Sequence, residues 1–276
     1  MPEFPEVRTF INHLKKQHLL GQEVTKVNFI DPKVLKNSNP KTFSNFIIGE
    51  KFEDIDQIGK LIVISLSNDK YLTIHLRMEG KLFFVDSSLK PDKFTMVEMI
   101  CGKKKLIYLD FRKFGTFYIY KSKKEFLESD EVSKIGLQPF DHKLTASYLL
   151  DNFDGKSQAI KTTLLDQTII AGIGNIYADE ILFACKINPL RKTKSLTKQD
   201  CQNIINACRR IMKDAISHSG TTVSSFAFAP SHAGSYQKYL KVHTRSNQPC
   251  TVCKTKIKKI TVNGRGTYYC PRCQAK

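Results

Sequence analysis

The sequence contains no long apolar run. Its longest apolar stretches are strand-sized, such as residues 61–66, so we expect no membrane-spanning helix. No secretory leader is visible either, and a soluble cytoplasmic protein is expected. Acidic residues are also scarce, because 26 Asp and Glu face 44 Lys and Arg, which gives a formal net charge of +18. Since the basic residues are scattered along the whole chain, they favour nucleic acid over an anionic membrane surface as the partner.

The cysteines do not follow the pattern of a disulfide framework. Four of the eight are isolated and are expected to be ordinary buried thiols in a reducing compartment: Cys101, Cys185, Cys201 and Cys208. The other four form two C-x-x-C pairs: Cys250, Cys253, Cys270 and Cys273. Four thiolates at this spacing predict a tetrahedral zinc site that is closed, so the zinc is expected to be structural.

The segment between the cysteine pairs is basic. Within it, Asn263-Gly264 is a hairpin turn signal that would present Arg265 at the tip. Fingers with four cysteines also serve as inert clips or protein-binding modules. The local charge favours nucleic acid.

The first half of the chain indicates one helix followed by a β domain. Apolar residues recur at helical spacing over residues 5–18, and Gly21 offers a stop. Short β-branched and aromatic runs then predict an antiparallel sandwich or barrel. The expected strands are 61–66, 71–75, 81–85, 96–100, 106–111 and 116–120.

The second half has helical periodicity. Helices are expected near 146–152, 158–166, 176–184 and 197–217, with Ser195 or Thr197 capping the last one. Residues 217–239 show no clear period, which is typical of a lid, a binding loop or disorder. The predicted α+β organisation is an N-terminal domain over 1–132, a linker over 133–143, a helical domain over 144–240 and a zinc finger over 241–276.

The first residues offer a nucleophile beside an acid. If Met1 is removed, the chain begins with the secondary amine of Pro2 and the carboxylate of Glu3. An α-amino group has a pKa of about 8, so on the order of a tenth of it is free base at neutral pH. A proline nitrogen can form an iminium with a carbonyl-level carbon. The alternative is that Met-Pro marks only a mature N-terminus.

Three strand connections carry groups that the β pattern does not require. They are Gly59-Lys60, the His75 to Gly80 turn with Arg77, Met78 and Glu79, and the Asp110 to Gly115 loop with Arg112 and Phe114. Lys60 is either at a solvated strand end or a held cation. The other two connections are either hairpins with a solvated charge or a pair of loops carrying a wedge, in which Met and Phe enter a duplex while Arg reaches a base edge or phosphate. The Gly172 to Asn175 connector is either a helix–helix turn or a phosphate contact at a helix start.

Taken in order, these motifs resemble the formamidopyrimidine-DNA glycosylase family, whose sister group is endonuclease VIII. The resemblance runs from Met1 to Cys273. It rests on the opening Met-Pro-Glu-Phe-Pro-Glu-Val, Gly59-Lys60, His75-Leu-Arg-Met-Glu-Gly80, Asp110-Phe-Arg-Lys-Phe-Gly115, Gly172-Ile-Gly-Asn-Ile-Tyr177 and the cysteine finger with Gly264-Arg265.

The resemblance implies the fold and the site. It implies an N-terminal antiparallel β-sandwich with a leading helix, a helical domain with a helix-two-turn-helix element, and a C-terminal zinc finger, with DNA in a cleft between the domains. Pro2 would be the nucleophile and Glu3 the acid, with Lys60 counted as catalytic. The DNA-binding residues would be His75, Met78, Arg112, Phe114, Lys161, Asn175 and Arg265, and the lesion pocket would contain Glu79, Thr221 and Thr222.

The implied activity is base excision repair by a bifunctional glycosylase and lyase. Such an enzyme excises oxidised purines from double-stranded DNA through a Schiff base on the N-terminal proline and then cleaves the strand by β,δ-elimination. We expect one structural zinc, no small-molecule cofactor, and a bacterial monomer that associates with the nucleoid through DNA. The alternatives are an endonuclease VIII-like glycosylase for oxidised pyrimidines, a non-catalytic zinc-finger protein recognising damaged DNA, and an RNA-binding factor with a four-cysteine ribbon.

Overall fold

A computed structural model describes residues 1–222 and 233–275. The chain divides into two compact units, one formed by Met1–Lys134 with Ser219–Ser235 and the other by Ile135–His218 with Tyr236–Lys276. Residues 219–235 were predicted in the helical domain, whereas the described ones among them, 219–222 and 233–235, group with the first unit. A contact that sequence reasoning could not supply accounts for part of this, because the Thr221 N–H donates to the buried Glu6 carboxylate at 2.7 Å.

The leading helix, α1, spans Phe4–Lys16 and confirms the prediction for residues 5–18. Its apolar face is fully buried, as the helical spacing required: Val7, Phe10, Ile11 and Leu14. The Glu3 N–H donates to the Glu6 side chain at 2.9 Å, as in a capping box. The helix therefore begins immediately after the expected catalytic residues and anchors them to the core.

Eight strands of the first unit form two antiparallel four-stranded sheets. They are β1 (Lys26–Phe29), β2 (Phe52–Ile58), β3 (Leu61–Leu66), β4 (Lys70–His75), β5 (Lys81–Asp86), β6 (Thr95–Cys101), β7 (Lys104–Leu109) and β8 (Thr116–Tyr120). The sheet orders are β2-β3-β4-β8 and β1-β6-β7-β5. Buried residues from both sheets and from α1 belong to one apolar core. The predicted α+β fold with antiparallel sheets is confirmed.

Two helices of the first unit were not predicted from the sequence. The helix α2 spans Pro40–Ile47, where Asn39 caps the first turn by accepting from the Thr42 N–H at 2.9 Å. The helix α3 spans Lys123–Glu128 and is capped in the same way by Ser122. Both are short, so their apolar periodicity is too brief to stand out from the surrounding strands.

Strand register gathers three connections at one end of the two sheets. Leu109 of β7 lies opposite both Lys81 of β5 and Thr95 of β6. In the other sheet, His75 of β4 lies opposite both Leu61 of β3 and Thr116 of β8. The turns at 59–60, 76–80 and 110–115 therefore share one end of the first unit, as the wedge hypothesis requires.

The second unit is helical with a C-terminal hairpin. Its elements are α4 (Ala146–Phe153), α5 (Ile160–Leu164), α6 (Asn175–Ala184), α7 (Lys198–Ser217), β9 (Lys258–Val262) and β10 (Arg265–Tyr269). Thr197 caps α7 through a capping box with Asp200, which settles the choice between Ser195 and Thr197. The strands β9 and β10 pair antiparallel around Asn263-Gly264, so the predicted hairpin is confirmed.

Among the helices in the described ranges, none combines the length and the apolar character needed to cross a bilayer.

Candidate active site and DNA-contacting groups

The N-terminus is a buried, hydrogen-bonded end of α1. Pro2 is buried, and Glu3 is almost completely buried. The second carboxylate in this turn, Glu6, accepts from the Glu3 N–H through Oε2 and from the Thr221 N–H through Oε1. Sequence reasoning missed Glu6 as a site residue, although the Glu3-x-x-Glu6 spacing resembles a helix cap and was a usable signal. Glu6 therefore joins the N-terminus to Thr221, which was predicted in the lesion pocket.

Burial shifts the α-amino group towards its neutral form. With Met1 present, desolvation is the largest cause that lowers the pKa of this amine from 8.0, and Lys60 acts in the same direction. Glu3, Glu6 and Glu79 oppose the shift by favouring the ammonium. The charges that act on the amine include Glu3, Lys60 and Glu79, which are three of the predicted site residues. A larger free-base fraction makes the amine a better nucleophile at neutral pH.

A buried amide links the start of α1 to the turn that carries Lys60. The Gln57 side-chain Nε2 donates to the Phe4 carbonyl at 3.3 Å and to the Gly59 carbonyl at 2.8 Å. Gln57 and Lys60 are both buried. No sequence signal singled out Gln57, because its two partners are brought together only by the packing of α1 on β2.

His75 is neutral and accepts a backbone hydrogen bond in this structure. Its Nδ1 accepts from the Arg77 N–H at 2.9 Å. Burial, followed by the charges of Arg77 and Lys60, lowers the pKa of His75 from 6.5 to about 3. A neutral imidazole that accepts at Nδ1 carries its proton on Nε2. His75 can therefore donate from Nε2 to a phosphate oxygen at neutral pH without contributing positive charge.

The turn after His75 presents Met78 at the surface. Met78 is 39% exposed, and Glu79 is partly buried beside it. Gly80 closes the turn, since a Cβ there would lie 2.5 Å from the Leu76 carbonyl oxygen. A side chain at position 80 would therefore displace the turn that positions Met78 and Glu79.

The loop that follows β7 is held by one buried carboxylate. Asp110 accepts from the N–H groups of Arg112, Phe114 and Gly115 at 3.0, 2.9 and 2.8 Å. The Arg112 guanidinium lies over the Phe114 ring, 4.7 Å from its centroid, and Phe114 is 52% exposed. The loop therefore presents a cation and an aromatic ring with their relative positions preset.

Lys161 does not lie where the sequence analysis expected. Its side chain is 0% exposed, and its Nζ lies 2.6 Å from Asp179 Oδ1 and 3.2 Å from the Gly266 carbonyl. Asn175, at the start of α6, donates to the same carbonyl at 2.9 Å. The prediction that Lys161 contacts DNA is corrected here, because its ammonium is enclosed and holds the β9–β10 hairpin through the residue after Arg265.

The four paired cysteines converge on one point. Their sulfur atoms all lie within 4.8 Å of one another. The Sγ atoms of Cys250 and Cys273 lie 3.9 Å apart, and those of Cys253 and Cys270 lie 3.4 Å apart. A tetrahedron of Zn–S bonds of about 2.3 Å places sulfurs roughly 3.8 Å apart, so the residues fit zinc. The Val252 N–H donates to the Cys250 sulfur, and the Cys273 N–H donates to the Cys270 sulfur. Both hydrogen bonds favour the thiolate form.

The predicted site residues are distributed over both units. The first unit contains Pro2, Glu3, Lys60, His75, Met78, Glu79, Arg112, Phe114, Thr221 and Thr222, and the second contains Asn175, Arg265 and the zinc cysteines. Thr221 is buried and Thr222 is partly buried. Of the predicted loop over 217–239, residues 223–232 lie outside the described residues. The loop prediction was wrong for its end, where Tyr236–Tyr239 form a 3-10 helix.

The buried Pro2-Glu3 start of α1, the exposed side chains of Met78 and Phe114, and the four-cysteine hairpin are typical of a zinc-finger protein of the DNA-repair class. Sequence models of protein families match three parts of the chain and support this class. The formamidopyrimidine-DNA glycosylase N-terminal domain matches residues 1–117, its H2TH domain matches 135–227, and the zinc finger found in FPG and IleRS matches 247–276. The chain belongs to the formamidopyrimidine-DNA glycosylase family and has one structural zinc site, as expected from the sequence.

Individual relatives are similar over their whole length. A formamidopyrimidine-DNA glycosylase of Ureaplasma parvum is 43% identical, with 99% of this chain and 100% of the relative covered. A Lactococcus lactis variant bound to Fapy-dG containing DNA is 31% identical with a TM-score of 0.93, and both chains are fully covered. The wild-type Lactococcus lactis protein bound to an oxidised-pyrimidine containing DNA is also 31% identical, with a TM-score of 0.91, and again both chains are fully covered. DNA is therefore the partner class.

Proposed function

We propose that this chain excises oxidised purines, including 8-oxoguanine and formamidopyrimidines, from double-stranded DNA and then cleaves the strand. The observation that carries the proposal is Pro2, which is buried at the start of α1 next to the almost completely buried Glu3. The α-amine of Met1, which precedes it, has its pKa lowered mainly by desolvation and is under the charges of Lys60 and Glu79. The relative bound to Fapy-dG containing DNA supports the purine substrate. All the proposed site residues come from one chain, so a monomer acting on nucleoid DNA suffices.

The proposed chemistry begins at Pro2. After removal of Met1, the Pro2 nitrogen attacks the sugar C1′, and the electron pair of the N-glycosidic bond leaves with the damaged base. Glu3 donates a proton as the deoxyribose ring opens, so that an iminium forms between Pro2 and C1′. The iminium acidifies the C2′ proton. Loss of that proton expels the 3′ phosphate, a second elimination expels the 5′ phosphate, and hydrolysis of the remaining iminium releases Pro2.

The same end of the first unit would hold the kinked DNA. Lys60, as a cation, and His75, as a neutral donor, would bind phosphates that flank the lesion. Met78, Arg112 and Phe114 would fill the space left by the flipped nucleotide, which offsets the few kcal/mol needed to extrude it.

The second unit would contribute phosphate contacts of its own. Asn175 and Arg265 would add phosphate contacts, with Lys161 supporting their shared neighbour Gly266. Glu79, Thr221 and Thr222 would line the pocket for the extruded base. Glu6 would keep Thr221 in place, because it accepts from the Thr221 N–H.

Borohydride trapping tests the proposal. A duplex with 8-oxoguanine opposite cytosine is incubated with the enzyme and borohydride, and the cross-linked residue is mapped by mass spectrometry. We expect an adduct on Pro2, loss of the adduct in Pro2→Gly, and nearly unchanged affinity of Pro2→Gly for the duplex. A wild-type adduct that maps to a residue other than Pro2 would show that Pro2 is not the nucleophile.

An endonuclease VIII-like preference is the second candidate. It is favoured by the Lactococcus lactis complex with an oxidised-pyrimidine containing DNA. Parallel single-turnover measurements on duplexes with an oxidised pyrimidine and with 8-oxoguanine separate the two. Tight binding of both duplexes without any trapping would support the non-catalytic recognition hypothesis instead.

A further inference from the structure

Phe111 is a large aromatic side chain for which the proposed chemistry has no use. It is 64% exposed, more than any other aromatic residue in the described parts of the chain. Burying such a ring in water-free surroundings stabilises a folded protein, so an exposed one next to a binding site indicates an interaction surface. Its neighbours Arg112 and Phe114 are both proposed to contact DNA.

The Phe111 ring is supported from behind by a second aromatic residue. Its ring meets that of Phe94 edge-on, at a centroid distance of 5.1 Å and an interplanar angle of 87°. The ammonium of Lys93 lies 5.0 Å from the centroid of the Phe94 ring. Phe94 is partly buried. Phe111 and Phe94, with Lys93 at their edge, form what we call the aromatic platform.

The aromatic platform lies at the end of the sheet that carries the wedge. Phe94 immediately precedes Thr95, which pairs with Leu109 at the end of β7, and Asp110 donates its N–H to the Phe94 carbonyl at 3.0 Å. The Asp110 carboxylate holds the backbone of the Arg112 to Gly115 segment. Phe111 thus lies in the same loop as Arg112 and Phe114, and the Phe94 segment is hydrogen-bonded to the start of that loop.

The basic side chains near the aromatic platform favour DNA as its partner. Lys93 lies over the Phe94 ring and Arg112 over the neighbouring Phe114 ring, while the Lys113 ammonium pairs with Asp31 at 2.8 Å. The chain as a whole carries a formal net charge of +18. Aromatic rings beside cations suit nucleic acid, because bases and sugars stack on the rings while phosphates meet the cations.

We propose that the aromatic platform is an additional contact to duplex DNA, in which Phe111 packs on a nucleotide next to those engaged by Arg112 and Phe114. The inference rests on the proposed function, since it assumes that this loop faces DNA. It adds a residue that contributes to affinity and is not needed for the covalent chemistry at Pro2.

Binding measurements with a non-cleavable probe test the platform. The probe is a fluorescent duplex with a tetrahydrofuran abasic-site analogue, and the dissociation constant is measured by anisotropy. We expect Phe111→Ala to weaken binding about tenfold, as for loss of one aromatic stacking contact. Phe111→Tyr, which keeps the ring, should bind as wild type does.

Leu127→Ala is the matched control. Leu127 is 48% exposed on α3. Lys123, the first residue of α3, donates its N–H to Asp69 in the β3–β4 turn, at the opposite end of the sheet from Thr116. Leu127→Ala should leave the dissociation constant unchanged. Equal affinities for wild type, Phe111→Ala and Leu127→Ala would overturn the proposal, as would equal losses in both alanine variants.

Photo-crosslinking provides a direct readout of contact. A photoreactive p-benzoylphenylalanine in place of Phe111 should crosslink to the same duplex, and one in place of Leu127 should not. Crosslinking only to protein would assign the platform to a protein partner and overturn the DNA contact. Borohydride trapping of the wild type tests the chemistry separately, so a failure of the platform and a failure of the Pro2 mechanism are distinguishable.

Discussion

Replacing Lys161 by methionine distinguishes a buried structural lysine from a DNA-contacting one. Methionine has a similar length and removes only the charge and the donors. In Lys161→Met, Asp179 loses its ion pair at 2.6 Å, and the Gly266 carbonyl loses one of its two donors. Asp179 keeps its contacts with His243 Nδ1 at 2.7 Å and the Tyr268 N–H at 3.2 Å.

The decrease in the free energy of unfolding expected for Lys161→Met follows from those contacts. Breaking a buried ion pair by removing one partner costs about 3–5 kcal/mol, because the remaining charge is left without its counterion. The two contacts that Asp179 keeps argue for the lower end, about 3 kcal/mol. For a protein of this size that corresponds to a fall in Tm of roughly 6–12 °C in the unit that contains the zinc finger. Adding Asp179→Asn to Lys161→Met should restore part of the loss, because no unpaired charge then remains.

Calorimetry and salt-dependent binding together provide the test. Calorimetry measures the Tm of each variant, and the dissociation constant for an abasic-analogue duplex is measured over a range of salt concentrations. Removal of one phosphate contact lowers the slope of log affinity against log salt by about 0.9. We expect that decrease for Arg265→Ala and an unchanged slope for Lys161→Met. A wild-type Tm with a decreased slope in Lys161→Met would refute the buried role and restore a direct DNA contact.

Three further predictions concern other residues. Cys250→Ser should lose zinc and weaken binding to damaged DNA about tenfold or more, while the first unit's Tm stays unchanged; unchanged affinity in the metal-free protein would contradict this. Because the pKa of His75 is about 3 when folded and about 6.5 when unfolded, the unfolded state binds a proton that the folded state does not as pH falls below 6.5. Urea denaturation at pH 7.5 and 5 should therefore show a greater loss of stability for wild type than for His75→Gln. Gln57→Leu and Gln57→Glu should both slow borohydride trapping about tenfold through misplacement of the N-terminus, with DNA affinity unchanged; wild-type trapping rates would exclude a positioning role.

Much of the fold could be predicted because its signals are local. The buried stripe of α1, the alternating strands and the Asn263-Gly264 hairpin depend on residues within a few positions of one another. The zinc site was also predictable, since two short C-x-x-C turns need only one closing hairpin between them. The short helices α2 and α3 were missed, because one or two turns provide little periodicity and their capping residues resemble ordinary loop residues.

The catalytic surroundings were predicted only in part. Pro2, Glu3 and Lys60 were chosen from residue chemistry and from resemblance. Glu6 and Gln57 were not, because each acquires its role from a distant partner, such as Thr221 or Gly59, that only folding brings into contact. Lys161 was assigned to DNA from the resemblance alone, and its burial against Asp179 reversed that expectation.

The sequence by itself determined which chemical groups this protein has: a proline at position 2 beside a carboxylate, four zinc-binding thiols, and loops that combine arginine with apolar side chains. Those properties depend on residue type and short spacing, which folding does not alter. Only the tertiary structure decided which of the groups are buried, which are exposed and which meet. Enclosure lowers the pKa of the amine and of His75, and withdraws Lys161 from solvent. Strand register, a long-range property, brings the turn that carries Met78 to the same end of the first unit as the loop that carries Arg112 and Phe114.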